Sequence, residues 1–146
     1  MVQFPLKNTF VLILRSSRLY NGWVMENLIG QNAPGFSVMT TDGYPLSPAD
    51  LKGKWVVLYF YPKDDTPGCT KEACGFRDAK KEFEKRDAIV LGVSPDGLDS
   101  HKKFVSKYSL NFPLIVDPEH QVAEAFQVWN GKGVSRVTFI IDPEGK

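Results

Sequence analysis

Only two cysteines occur in the 146-residue chain, and both lie in Tyr59-Phe60-Tyr61-Pro62-Lys63-Asp64-Asp65-Thr66-Pro67-Gly68-Cys69-Thr70-Lys71-Glu72-Ala73-Cys74. Thiol chemistry is what this stretch can offer: a thiolate is a nucleophile, and two nearby thiols can be oxidised to a bond. Thr66-Pro67 reads as an N-cap followed by the first helical residue, because a hydroxyl can accept an orphan N–H and proline has none to lose. Cys69 then falls in the first turn, where free N–H groups and the positive end of the helix dipole favour an anion such as a thiolate. Asp64, Asp65 and Glu72 would oppose that if they pointed inward. The local cations are Lys63 and Lys71, so an arginine from elsewhere in the chain is expected to outweigh the acids.

Cys74 stands five residues after Cys69. On an ideal helix that is roughly 140° around and about 7.5 Å along, which puts the two Cα atoms ~9 Å apart. A disulfide needs less than ~7 Å. The pair cannot close on an intact helix, so a bond between them requires the first turns to unwind. The spacing also differs from the C-x-x-C of thioredoxin-like reductants. The bland readings are a small buried hydrophobe for Cys69 and helix packing for Cys74.

The elements that must position these residues follow from periodicity. Trp55 to Tyr61 is a continuous apolar run, the pattern of a buried central strand, and Pro62 ends it. Before it, Phe36 to Leu46 reads as a hairpin around Thr41-Asp42-Gly43, and Ser47 to Gly53 as a capped single turn. A helix is expected from Pro67 to about Arg86, with Ala73, Phe76, Ala79 and Phe83 as its apolar stripe. Ala88–Ser94 is a second buried strand. Leu98, His101, Val105 and Tyr108 mark a second helix, on which His101 is expected to pack or make a satisfied polar contact. Leu114-Ile115-Val116 is a third strand, Asp117-Pro118 caps a helix through about Phe126, and Ser135 to Ile141 is a fourth strand. Asp142-Pro143-Glu144-Gly145 is a turn that calls for a returning strand, so the chain is expected to be C-terminally truncated. Strands alternating with helices indicate an α/β fold with a mixed sheet.

Length and composition suit one domain with a real core. A formal net charge of +1 argues against bulk electrostatic binding to nucleic acid or membrane. His101 and His120 are far from the cysteines in sequence, so metal-ligand spacing is absent, and no nucleotide-binding glycine motif occurs. No metal and no cofactor are expected. Residues 1–28 read as an N-terminal extension outside the fold: Lys7, Arg15 and Arg18 are the only charges before Glu26, and Phe10–Leu14 is too short an apolar run to span a bilayer. An upstream start with Met25 as the natural one is the favoured reading, and an organelle transit peptide the alternative. The expected compartment is the reducing cytoplasm, where a lone cysteine pair is more often catalytic than structural.

The element order resembles the thioredoxin fold as elaborated in peroxiredoxins, over about residues 29–146. Pro62-x-x-x-Thr66-x-x-Cys69 is similar to the peroxiredoxin signature, and Cys74 five residues on resembles the atypical two-cysteine PrxQ branch, also called bacterioferritin comigratory protein. Arg136, in Ser135-Arg136-Val137-Thr138-Phe139-Ile140-Ile141-Asp142, matches that family's arginine on a late strand. The resemblance implies a peroxidatic role for Cys69 and a resolving role for Cys74. It also implies that Thr66 and Arg136 hold peroxide and thiolate, and that Pro62 shields the pocket. Hydrogen peroxide and alkyl hydroperoxides are the implied substrates, thioredoxin or a similar dithiol the implied reductant, and a monomer is expected. The alternative on the same residues is a thioredoxin-like disulfide oxidoreductase, or a redox-sensing binding module, without peroxidase chemistry.

Ionising the thiol cannot supply most of the rate. Lowering a generic thiol from a pKa of about 8.5 to about 6 raises its thiolate fraction roughly 30-fold at neutral pH, but the loss of basicity costs roughly 10- to 18-fold in nucleophilicity. Most of the acceleration must come from stabilising the charge that grows on the departing oxygen, for which a guanidinium and a hydroxyl are suited.

Overall fold

The structure is a computed structural model and describes residues 28–146. The leading segment lies outside the described residues, apart from its last position. A six-stranded mixed sheet runs in the order β2-β1-β5-β4-β3-β6. Its strands are β1 (Val38–Thr40), β2 (Pro45–Leu46), β3 (Trp55–Phe60), β4 (Ala88–Ser94), β5 (Leu114–Val116) and β6 (Val137–Ile141). The helices are α1 (Pro67–Asp78), α2 (Lys80–Glu84), α3 (Leu98–Tyr108) and α4 (Gln121–Ala125), with a 3-10 turn at Pro48–Leu51. β3, β4 and β5 are parallel, and β6 runs antiparallel to β3.

β3 is apolar on both faces because the sheet is covered on both. Val56, Leu58 and Phe60 join one core with Phe36, Leu91, Val93, Ile115, Phe126 and Val137. Val57, Tyr59 and Tyr61 join the other, with Cys69, Ala73, Phe83, Phe104 and Leu114. This is the two-residue alternation of a strand with no solvent face. Cys69 is therefore part of the core beneath α1 and α3.

Three local expectations are corrected. The helix from Pro67 does not continue to Arg86 but breaks after Asp78 into α1 and α2. Asn111 Nδ2 donates to the Arg77 carbonyl at 3.1 Å, and the N–H groups of Glu82 and Phe83 both return to Ala79. The apolar stripe survives the break, because Phe83 still lies 6.0 Å from Phe76, centroid to centroid. On α3 the buried residues are His101 and Phe104, whereas Leu98 is exposed. Asp117 does cap a helix, accepting from the N–H groups of Val122 and Ala123, but the helix starts only at Gln121. A turn through His120, at φ 59°, lies between.

Gly92 on β4 marks the tightest point between sheet and ring cluster. A Cβ built there would lie 2.7 Å from Leu114 Cδ2 and 2.8 Å from Tyr59 Cζ and Oη. Both neighbours are fully buried, and Tyr59 stacks on Tyr61 at 5.4 Å and packs tilted against Phe76 at 4.6 Å, so neither can move freely. Gly92→Ala is expected to lower the unfolding free energy by about 1–3 kcal/mol, read as a lower urea midpoint at unchanged slope.

Candidate active site

Register places the site. Phe60, the last residue of β3, pairs with Val137, the first of β6. The chain leaves β3 at that level for the Pro62–Thr66 loop and α1, so Arg136 stands beside the point of departure. Val137 faces the Phe60 core, so Arg136, one residue earlier, projects to the opposite face, toward α1. There its Nη2 donates to Cys69 Sγ at 3.1 Å, and its Nη1 donates to Glu72 Oε1 at 3.0 Å. Two groups 67 positions apart in sequence thus meet at the carboxyl end of a central parallel strand, the usual place for a site in such sheets.

Thr66 occupies the N-cap position of α1 with an extended backbone, and Pro67 follows as first helical residue. Its hydroxyl does not accept from the helix, contrary to the capping expectation. It donates to the Lys63 carbonyl at 2.9 Å, because Asp65, at φ 56°, folds the loop back and brings that carbonyl within reach. The oxygen lone pairs of Thr66 remain acceptors. The first helical bond runs from Thr70 N–H to the Thr66 carbonyl at 2.8 Å. Cys69 therefore sits where first-turn N–H groups have no intrahelical partner. It is buried, Cys74 is half-buried on the same helix, and both are free thiols. Pro62 is exposed at the mouth of the loop.

Glu72, expected only to oppose a thiolate, bridges to the guanidinium instead. It lies three positions after Cys69, on the same helical face. That spacing was the available signal. Burial pushes its carboxyl up, against the lowering influence of Arg136. For Arg136 burial works against the charge, but the hydrogen bond to Cys69 and the charge of Glu72 outweigh it and hold the guanidinium above its ordinary value. Burial likewise raises the Tyr59 hydroxyl, with Glu72 adding to the effect. Gly68 supplies room: a Cβ there would come within 3.2 Å of Arg136 Nη2. Asp64 and Asp65 point away from the sulfur. Asp64 turns inward to Tyr61, Ser100 and His101, and Asp65 outward to Lys107 and Tyr108.

The arrangement can hold a nucleophilic sulfur against a fixed fork of donors, beside an accepting hydroxyl. No helix among the described residues is long and apolar enough to cross a membrane.

Residues 29–146 match the AhpC/TSA family. Peroxiredoxin Bcp of Bacillus subtilis is 50% identical over 126 residues, covering 81% of this chain and 80% of that protein. The crystal structure of peroxidoxin BcpB from Mycobacterium tuberculosis superposes with a TM-score of 0.74 at 39% identity, over 80% of each chain. A structure of Xanthomonas campestris bacterioferritin comigratory protein, described in terms of its alkyl peroxide reduction activity, superposes with a TM-score of 0.72 at 37% identity, over 76% of each chain. With the thioredoxin-like sheet and a cysteine at a helix start, these likenesses show that the chain belongs to the AhpC/TSA family, in its Bcp/PrxQ branch, and is a peroxiredoxin, a thiol-dependent peroxidase.

Proposed function

We propose that the chain reduces hydrogen peroxide and organic hydroperoxides at Cys69, with Cys74 resolving the oxidised sulfur and a dithiol such as thioredoxin restoring both thiols. The observation that carries this reading is the Arg136 Nη2 to Cys69 Sγ contact at 3.1 Å. In the first step the Cys69 thiolate attacks one peroxide oxygen. The S–O bond forms as the O–O bond breaks, giving a sulfenic acid on Cys69 and an alkoxide or hydroxide that leaves with a proton as alcohol or water. Negative charge moves from sulfur to the departing oxygen. The Arg136 fork, already within hydrogen-bond reach of the sulfur, suits both ends of that movement, and Glu72 holds the fork in plane. Thr66 offers its lone pairs to a peroxide O–H, and Pro62 covers the approach.

In the second step the Cys74 thiol condenses with the sulfenic acid, forming the disulfide and releasing water. Both cysteines lie within α1, so the helix must open between them before the sulfurs meet. The half-buried state of Cys74 suits a group that moves last. An incoming dithiol then exchanges with the disulfide and leaves oxidised.

Arg136→Lys keeps the charge but loses the fork, and stopped-flow measurement should find the second-order rate constant for Cys69 oxidation at least about 100-fold lower. A near-normal rate would refute the role of the guanidinium. For the second step, peptide mass spectrometry after one equivalent of peroxide should find Cys69 and Cys74 joined, with loss of the two thiol hydrogens. In Cys74→Ser the first oxidation should persist within about threefold while turnover with a dithiol reductant collapses. Undiminished turnover in that variant would show that an external thiol resolves Cys69.

A further inference from the structure

Behind the Cys69 loop lies a buried polar cluster that the steps above do not use. Asp64, with 3% of its side chain exposed, is held from three sides. Its Oδ1 accepts from Tyr61 Oη at 2.6 Å, and its Oδ2 accepts from Ser100 Oγ at 2.8 Å and shares a hydrogen bond with His101 Nδ1 at 2.7 Å. His101 is completely buried on α3, and its Nε2 donates to the Ile115 carbonyl at 2.8 Å. The Ile115 carbonyl can only accept, so Nε2 carries a proton, and a second proton lies in the hydrogen bond between Asp64 and Nδ1. The backbone N–H of Asp64 donates at 2.8 Å to Asp96 Oδ2, which also accepts from Ser94 Oγ at 2.7 Å. Ligand-type atoms of Asp64, Asp96 and His101 lie within 4.8 Å of one another, but these hydrogen bonds already account for them.

Burying a carboxylate is unfavourable unless it is fully paired, and an apolar side chain would fill the same space without that penalty. The cluster instead fixes a backbone. Asp64 follows Lys63, whose carbonyl accepts the Thr66 hydroxyl, and precedes Asp65, a non-glycine residue in the left-handed region at φ 56°. Asp65 is itself tied to Lys107 and Tyr108 of α3, but that contact is exposed and of small worth. The buried tie is the one able to hold the turn.

We propose that Asp64, clamped by His101 and Ser100 of α3, is a positioning residue that fixes the Lys63–Thr66 turn and with it the Thr66 hydroxyl relative to Cys69. This rests on the reading that Thr66 contacts the peroxide.

Asp64→Asn keeps the size and removes the charge. Its rate constant for Cys69 oxidation by hydrogen peroxide should fall at least about tenfold, since small displacements of a positioning group are felt strongly. Alkylation of reduced Cys69 by iodoacetamide, followed at peptide level, needs the thiolate but not Thr66 and should stay within about twofold. Peroxide oxidation close to that of the parent chain overturns the proposal. So does a parallel loss of both reactions, which would mark general damage to the helix start. If Asp64→Asn does not fold, Ser100→Ala removes one donor and leaves the Asp64–His101 contact, with an expected loss of about threefold toward peroxide alone. An unchanged peroxide rate in folded Ser100→Ala is equally fatal. Free-cysteine-like slowness of the parent chain itself would instead defeat the peroxidase reading, so the two failures are distinct.

Discussion

The contact between Arg136 and Cys69 constrains the whole arrangement, because nothing local brings the two groups together. The sulfur sits at the start of α1, the guanidinium at the start of β6. They meet because β6 lies against β3 in antiparallel register, with Val137 opposite Phe60, while β3 delivers the chain directly into the cysteine loop. A one-residue slip of that register would turn Arg136 to the opposite face of the sheet. The apolar residues on both faces of β3 and β6 therefore hold the sulfur and the guanidinium together.

Carboxylates crowd this region, and their directions decide its electrostatics. Glu72 stays, half-buried, and bridges to the guanidinium it would otherwise leave unopposed. Asp64 is folded into the core beneath the loop, and Asp65 reaches outward to a lysine. Three acids within reach of one sulfur thus become one bridge and two anchors. A buried acid that donates nothing to the chemistry can still be needed for the loop that does.

The helix carrying both thiols is secured at its two ends. Before it, Asp64 and Asp65 tie the loop to α3. In its last turn, Arg77 Nη1 donates to the Tyr108 carbonyl at 2.6 Å, and Asn111 donates back to the Arg77 carbonyl. The turns between Cys69 and Cys74 lie inside these anchors. An opening of these turns would leave the strands on either side in place.

Much of this was legible in the amino-acid order, for definite reasons. Strand and helix periodicities and the Thr66-Pro67 start are written in residue types and short spacings, which act through local sterics and hydrogen-bond capacity, whereas Arg136 could be named only through the resemblance to the peroxiredoxins. Even His101, a polar residue on an apolar stripe, was legible as a satisfied contact. Its partner was not, because Asp64 and His101 meet only once α3 packs over the β3 loop. The direction of the Thr66 hydroxyl, the break after Asp78 and the bridging role of Glu72 were equally hidden. Each is settled by a group remote in sequence or by a loop reversal: Asn111 on Arg77, Arg136 on Glu72, the left-handed Asp65 beneath Thr66. The sequence by itself determined which groups could react. The tertiary structure alone decided which way they point, because direction depends on contacts that close only when the sheet is assembled.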